Sequence, residues 1–224
     1  MTKSPHANRK LATLGQQVRR RLTRNPAVAV AGQAGLEIFA VNGFANAAEC
    51  AGLVARIDTN ARPSTLYSVD AQEGFRTSYS CDLDPADPLV QTIEARICAL
   101  TGLDPRHGEA LQGQRYAVGQ LFKSHHDYFP YDTDYWQEER LKGGQRSWTA
   151  MLYLNQPGSG GETNFPTAGL CIEPRAGMLL LWNNMVEDGA PNPKALHEGC
   201  PVGAGTKYII TKWFRERFWA VGLR

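Results

Sequence analysis

The sequence predicts a mainly β protein with flanking α-helices, a β-sandwich or jelly roll supported by helices at its N-terminal side. Three observations lead there. Helical periodicity with start and stop signals is confined to the first 102 residues. From about residue 111 the texture changes to short β-branched or aromatic runs separated by Gly and Pro turns. The 224 residues, 42% hydrophobic and 21% charged, suit one domain with a full core, or a domain plus a small appendage. Helices first and many short strands later are the signature of helices packed on a β-sandwich or jelly roll.

The elements follow in order. Leu11, Leu14, Val18 and Leu22 recur at helical spacing, so residues 8–24 read as a basic amphipathic helix. Lys3, Arg9, Lys10, Arg19, Arg20, Arg21 and Arg24 place seven positive charges before the first acid, Glu37, so a net charge of +2 leaves the rest of the chain near −5. Its Leu face is expected to pack on the domain and its Arg face to be solvated, with contact to an acidic partner, a membrane surface or nucleic acid as the alternative use. Residues 1–35 are therefore a basic N-terminal helical extension, and 36–224 the main domain. "LEIFAVNGF" (36–44) reads as a strand. "NAAECAGLVARI" (46–57) is a helix with an Asn start signal. "FRTSYSCDL" (75–83) is strand-like, and "DPLVQTIEARICALTG" (87–102) is a helix with Pro in its first turn and Gly at its end. "ALQGQRYAVGQLF", "KSHHDYF", "SWTAMLYLN", "GLCIEP", "GMLLLWNN" and "KYIITKWF" are the later strands. Residues 130–146, "PYDTDYWQEERLKGGQR", interrupt them with a charged, aromatic loop long enough for a lid.

Composition excludes several classes. No run approaches the roughly 18 apolar residues of a membrane span, and "NPAVAVAGQAG" (25–35) lacks the Leu/Phe-rich core of a signal peptide. Cys50, Cys81, Cys98, Cys171 and Cys200 are odd in number and never spaced C-x-x-C, which argues against a disulfide framework or thiolate zinc site. A reducing, cytoplasmic setting is expected.

Histidines are scarce, five in all, yet "FKSHHDYF" (122–129) puts two together beside Asp127. On a strand, residues two apart project to the same face, so His125 and Asp127 point together while His126 turns away to pack or hydrogen-bond behind the strand. His197, in "LHEGCPV", is the remaining candidate for a third ligand. The set would make a 2-His-1-carboxylate facial triad with open positions for substrate and oxygen on non-haem Fe(II). Spacing alone leaves open that these are satisfied polar residues. "HGE" (107–109) has the same form, but it sits in a turn where His107 and Glu109 are expected to be solvated.

Four blocks, "RYAVGQLFKSHHDYF", "WTAMLYLNQPGSGGETNFP", "EPRAGMLLLW" and "LHEGCPVGAGTKYIITKWFRER", together with "FRTSYSCDL", resemble the prolyl 4-hydroxylase family of Fe(II)/2-oxoglutarate-dependent dioxygenases over residues 36–216. The resemblance implies a double-stranded β-helix (jelly-roll) core. It implies Fe(II), 2-oxoglutarate and O2 as cofactors, ascorbate as reductant, and hydroxylation of a prolyl residue at its 4-position with release of succinate and CO2, like a procollagen-proline 4-dioxygenase. It makes His125, Asp127 and His197 the iron ligands at the catalytic centre. Lys207 matches the lysine that pairs with the distal carboxylate of 2-oxoglutarate, and Tyr116 a tyrosine contacting that carboxylate. Thr163 and Trp213 match residues near the cosubstrate, and Arg146 a substrate-binding arginine. Tyr128, Tyr131, Tyr135 and Trp136 are placed to edge a groove for a Pro-rich segment, whose polyproline II form is already ordered. The partners expected are a peptide or protein substrate and a second copy of the chain, with no nucleic acid and no membrane span. Relatives carry Tyr where this chain has Phe122, which keeps alive a 2-oxoglutarate hydroxylase of a free amino acid, lysyl residue or small metabolite. The third reading is a jelly-roll binding module without catalysis.

Overall fold

In the computed structural model the described residues are 4, 6–33, 35–65 and 74–219. Helix α1 (Arg9–Thr23) starts where the Asn8 side chain accepts from the amides of Lys10 and Leu11, and its buried stripe is Leu11, Gly15, Val18 and Leu22. Strands β1 (Ala29–Val30) and β2 (Ile38–Val41) follow. Helix α2 (Ala47–Asn60) opens with a reciprocal capping box between Asn46 and Glu49. After β3 (Arg62–Pro63) and β4 (Tyr79–Asp82), helix α3 (Pro88–Thr101) begins with Pro in the first turn and stops at Gly102, which takes φ +76°. The β-rich half comprises β5 (Gln112–Tyr116), β6 (Phe122–His125), β7 (Arg146–Tyr153), β8 (Ser159–Gly160), β9 (Thr163–Phe165) and β10 (Leu170–Ile172). It continues with β11 (Leu179–Asn183), β12 (His197–Gly199), β13 (Val202–Ala204) and β14 (Lys207–Arg215).

Among the described residues these strands form an eight-stranded sheet, β1-β2-β11-β7-β14-β5-β4-β3, a four-stranded sheet, β10-β9-β12-β6, and the pair β13-β8. Every pairing is antiparallel. Strand alternation sorts the large sheet into two faces. Trp148, Ala150 and Leu152 of β7, Leu179 and Leu181 of β11, and Ile210 and Phe214 of β14 join Val18, Leu22, Leu53, Ile57, Ile93 and Ile97 in a core shared with the helices. Met151, Tyr153, Leu180, Trp182 and Ile209 face the other way and meet Phe165 of the smaller sheet. Gly113 of β5 lets α2 approach, because a Cβ there would lie 2.4 Å from the Ile57 side chain.

The Leu face of α1 packs on the domain as expected, with Val18 and Leu22 in the main core, and β1, within residues 1–35, pairs with β2 beyond them. Three details differ from the sequence reading. The 130–146 segment is not all loop, for Trp136–Lys142 forms helix α4. Strand β6 ends at His125, so Asp127 lies in the bend beyond it rather than on the strand. Arg-face solvation is partial, since Arg19 pairs with Glu37 and Arg21 donates to the carbonyls of Ala99 and Leu100 at the end of α3. No helix of the described residues is long and apolar enough to cross a membrane.

Candidate metal centre

Two adjacent antiparallel strands of the small sheet bring the histidines together: His197 opens β12 directly across from His125, which closes β6. Their ring centroids are 4.3 Å apart. Asp127 reaches the same point from the bend, its Oδ2 3.8 Å from His197 Nε2. One ligand atom from each of the three lies within 4.8 Å of the others. Asp127 and His197 are buried and His125 is half-buried.

Each imidazole is oriented from behind. His125 Nδ1–H donates to the Lys123 carbonyl at 2.8 Å, and His197 Nδ1–H to that of Ala195 at 2.9 Å. A carbonyl only accepts, so Nδ1 carries the proton and Nε2 keeps a lone pair for a metal. Burial and the neighbouring His197 push the His125 pKa down to about 3, so its ring stays neutral. Asp127 behaves oppositely: burial alone would raise it, but His197, His125, Arg146 and the Thr149 hydrogen bond hold it below the usual carboxylate range. The donor set is the Nε2 atoms of two imidazoles and one carboxylate, closed on the protein side and open to a cavity. It fits a hexacoordinate Fe(II) that keeps positions for other ligands.

That cavity is lined by, among others, Tyr116, Thr163, Trp182, Lys207, Thr211 and Trp213. Alternation along β14 sends Lys207, Thr211 and Trp213 to the cavity side and Lys212 to the helix side, where it pairs with Glu94. Lys207 is only 2% exposed, and among the described residues no carboxylate pairs with it. Its Nζ lies over the rings of Tyr116 and Tyr153, 5.3 and 5.5 Å from their centroids. Burial lowers its pKa to about 8, which Cys200 and Glu162 oppose. Trp182 and Trp213 border the same space with buried indole N–H groups that have no acceptor among the described residues. A buried cation and two free donors fit an anionic ligand rich in acceptors.

The other expected residues divide. Tyr116 and Thr163 line the cavity, although here the Tyr116 hydroxyl donates to Gln114 at 2.7 Å and Thr163 accepts from the Tyr153 hydroxyl at 2.6 Å. Arg146 is turned to a buried fork with Glu109, at 2.6 and 2.7 Å, with its guanidinium 4.1 Å above the Trp213 ring. Glu109 is not the solvated turn residue expected: it is buried and also bonds Arg215. His107 is half-buried, and its Nδ1 bonds the Arg215 carbonyl at 2.9 Å. Tyr128 stacks on His126 and Tyr135 meets Phe129 edge-on, while Trp136 meets Tyr131; none of the four tyrosine and tryptophan side chains of this loop lines the cavity. His126 turns away from the metal site as expected and bonds the Pro193 carbonyl at 3.2 Å. Phe122 stacks on His125, ring centroids 3.6 Å apart.

Sequence reasoning missed Gln114, Thr149, Asn184 and Thr211. Their only signal is polarity at positions that prove buried, Gln114 on β5, Thr149 on β7, Thr211 on β14 and Asn184 just past the end of β11. Arg76 is a further omission: it bonds Ser78 and Gln112 and lies over Phe122 at 4.8 Å, and burial lowers its pKa against the fields of Tyr116 and Asp127.

Comparison with known proteins bears on this geometry. Residues 111–215, which contain all three ligand candidates and Lys207, match the model of the 2OG-Fe(II) oxygenase superfamily. The chain is 36% identical over 204 residues to probable prolyl 4-hydroxylase 8 of Arabidopsis thaliana, covering 79% of this chain and 67% of that protein. It is 32% identical to prolyl 4-hydroxylase 1 of the same plant, covering 80% and 69%. Among solved structures it resembles the viral collagen prolyl hydroxylase of Paramecium Bursaria Chlorella virus-1 in its 2OG complex, with TM-score 0.63, 26% identity, and 80% and 95% of the two chains covered. A Pseudomonas putida prolyl-4-hydroxylase shares the fold at TM-score 0.59 and 22% identity, over 91% of this chain and 99% of its own.

Proposed function

The chain belongs to the prolyl 4-hydroxylase family of 2OG-Fe(II) oxygenases, and from that premise we propose that it hydroxylates a prolyl residue of a peptide or protein at the 4-position, converting 2-oxoglutarate and O2 to succinate and CO2. The observation that carries the reading is the meeting of His125, Asp127 and His197 with a buried, uncompensated Lys207 around one cavity.

When bound, Fe(II) and 2-oxoglutarate supply an oxidant able to attack an unactivated C–H bond at the cost of decarboxylating the keto acid. The protein's part is positioning. His125 and His197 offer Nε2 because the Lys123 and Ala195 carbonyls fix their tautomers. Lys207 would hold the far carboxylate of 2-oxoglutarate through a charge-assisted hydrogen bond, strong where water is excluded. Tyr116 would contact that carboxylate, and Thr163 would stand beside the cosubstrate. Arg146 covers Trp213 and keeps this wall of the cavity in place. The family members that resemble this chain include a collagen prolyl hydroxylase, which favours a Pro-rich substrate. Such a segment would lie along Tyr128, Tyr135 and Trp136, outside the cavity.

Incubation with Fe(II), 2-oxoglutarate, ascorbate and a panel of Pro-rich peptides, followed by mass spectrometry, tests the reading. The expected product is peptide heavier by one oxygen, with the hydroxyl on proline and one succinate per hydroxylation. Replacing Tyr135 and Trp136 by Ala should raise the peptide KM and leave that of 2-oxoglutarate unchanged. Phe122, whose ring stacks on His125 in place of the family tyrosine, favours one second reading, a hydroxylase of a non-prolyl substrate. Succinate formation without any hydroxylated peptide would support that reading over the first.

A further inference from the structure

We propose that Thr149 and Asn184 are positioning residues for the metal, forming a directional hydrogen-bond relay that sets the Asp127 carboxylate. The proposal rests on the metal-site reading above and deepens it. Asp127 sits in a bend, beyond the last paired residue of β6, so no strand ladder fixes it. What holds its side chain is Thr149 Oγ1, 2.6 Å from Asp127 Oδ2. Thr149 lies at the centre of the large sheet, paired with Trp182 on one side and Trp213 on the other. Behind it, Asn184 Nδ2 stands 2.9 Å from the same hydroxyl oxygen. Thr149 and Asn184 are both wholly inaccessible.

The direction of the relay follows from donor counting. Ionised Asp127 can only accept, so the single Thr149 proton goes to it. The hydroxyl is then left with acceptor capacity alone, and the amide group facing it must be the NH2. Asn184 therefore cannot be replaced by an acceptor without offering the Thr149 proton a second destination. Its backbone is fixed independently: the Asn184 amide donates to the Ser147 carbonyl and its carbonyl accepts from Asn192, both at 2.9 Å. Among the described residues the Asn184 Oδ1 is buried without a partner, a cost the fold carries while the NH2 points at Thr149. A side chain chosen for packing alone would not leave an orphaned acceptor at zero exposure.

Second-sphere partners of metal ligands affect metal affinity by about 10- to 100-fold. The test titrates metal-free protein with Co(II), following visible absorption and binding heat, with circular dichroism and thermal unfolding of the metal-free forms alongside. Thr149→Val keeps the shape and removes the hydroxyl; it should weaken Co(II) binding about 10- to 100-fold. Thr149→Ser should restore affinity to within a few-fold of the native protein. Asn184→Asp, which turns a donor into a competing acceptor, should weaken binding with Thr149 intact. Because Thr149→Ser and Asn184→Asp are near-isosteric, they decide the matter even if the valine variant does not fold. Native-like Co(II) affinity in Thr149→Val, or a serine variant as weak as the valine one, overturns the relay. Native-like affinity in Asn184→Asp overturns the part given to Asn184. A native protein that takes up no Co(II) overturns the metal-site reading itself, a distinct outcome.

Discussion

Lys207 carries an ammonium group into a space walled by Tyr116 and Tyr153 where, among the described residues, no carboxylate pairs with it. Its folded pKa, about 8, lies below the ordinary 10.5. Below pH 8 the group is charged in both folded and unfolded chains, and the folded state bears the full desolvation cost. As pH rises from 8 towards 10.5 the folded state sheds its proton first, so the metal-free, ligand-free protein gains stability across that window. Binding a dicarboxylate runs the other way, because it needs the ammonium form. The 2-oxoglutarate affinity should fall by up to about tenfold per pH unit above pH 8, with proton uptake on binding. Calorimetric titration from pH 7 to 9.5 in two buffers of different ionisation enthalpy checks this, and Lys207→Arg should flatten the dependence. At this scale the sequence was informative where residue type is rare. Five histidines make a His-x-Asp noticeable, whereas Glu109 looked like any turn carboxylate because its partners, Arg146 and Arg215, lie 37 and 106 positions away.

Helix α4 shows how an element can escape sequence reading. It has only seven residues, and Tyr135 at its start supplies no capping hydrogen bond. An isolated helix of that length is not stable in water. Its anchor is distant: buried Glu139 receives Arg215 from the end of β14 at 2.6 Å, and Arg215 also bonds Glu109 at 3.1 Å. The chain Glu139, Arg215, Glu109, Arg146 thus ties the helix to the guanidinium that covers Trp213. Removing one partner of such a buried network strands the others. Arg215→Leu should cost about 3–5 kcal/mol, read by urea unfolding, and Glu139→Gln should cost less because it keeps an acceptor. The long helices were legible because their signals are local. Asn46 and Glu49 lie three residues apart, and Pro88 and Gly102 mark the two ends of α3. Strand β6 was read four residues too long, to Phe129, since alternation continues on paper through Asp127 while the ladder stops at His125.

Across the whole molecule, the order of helices before strands indicated the layering, but not how the N-terminal helix joins it. Amphipathic spacing identified the face of α1 that packs, and could not say that Leu22 would reach a core shared with Trp148 and Phe214. Leu22→Ala should therefore lower global stability by about 2–5 kcal/mol in a single transition monitored by both tryptophan fluorescence and circular dichroism. An independently folding extension would instead melt in a separate early step. Strand order was equally illegible, because β14 neighbours β7 and β5 through connections of tens of residues.

Strand β14 serves two interiors at once, the helix-side core through Ile210 and Phe214 and the cavity through Lys207, Thr211 and Trp213. This makes it intolerant of a particular kind of evolutionary change. Deleting or inserting one residue between Lys207 and Trp213 would turn over the strand on one side of the change, placing an ammonium group among aliphatic side chains or a phenylalanine in the cavity. A two-residue change would preserve the faces yet move one end of the strand by about 7 Å relative to the other, separating Lys207 from the histidines. Substitution is thus the one route by which this strand can vary while both of its interiors survive.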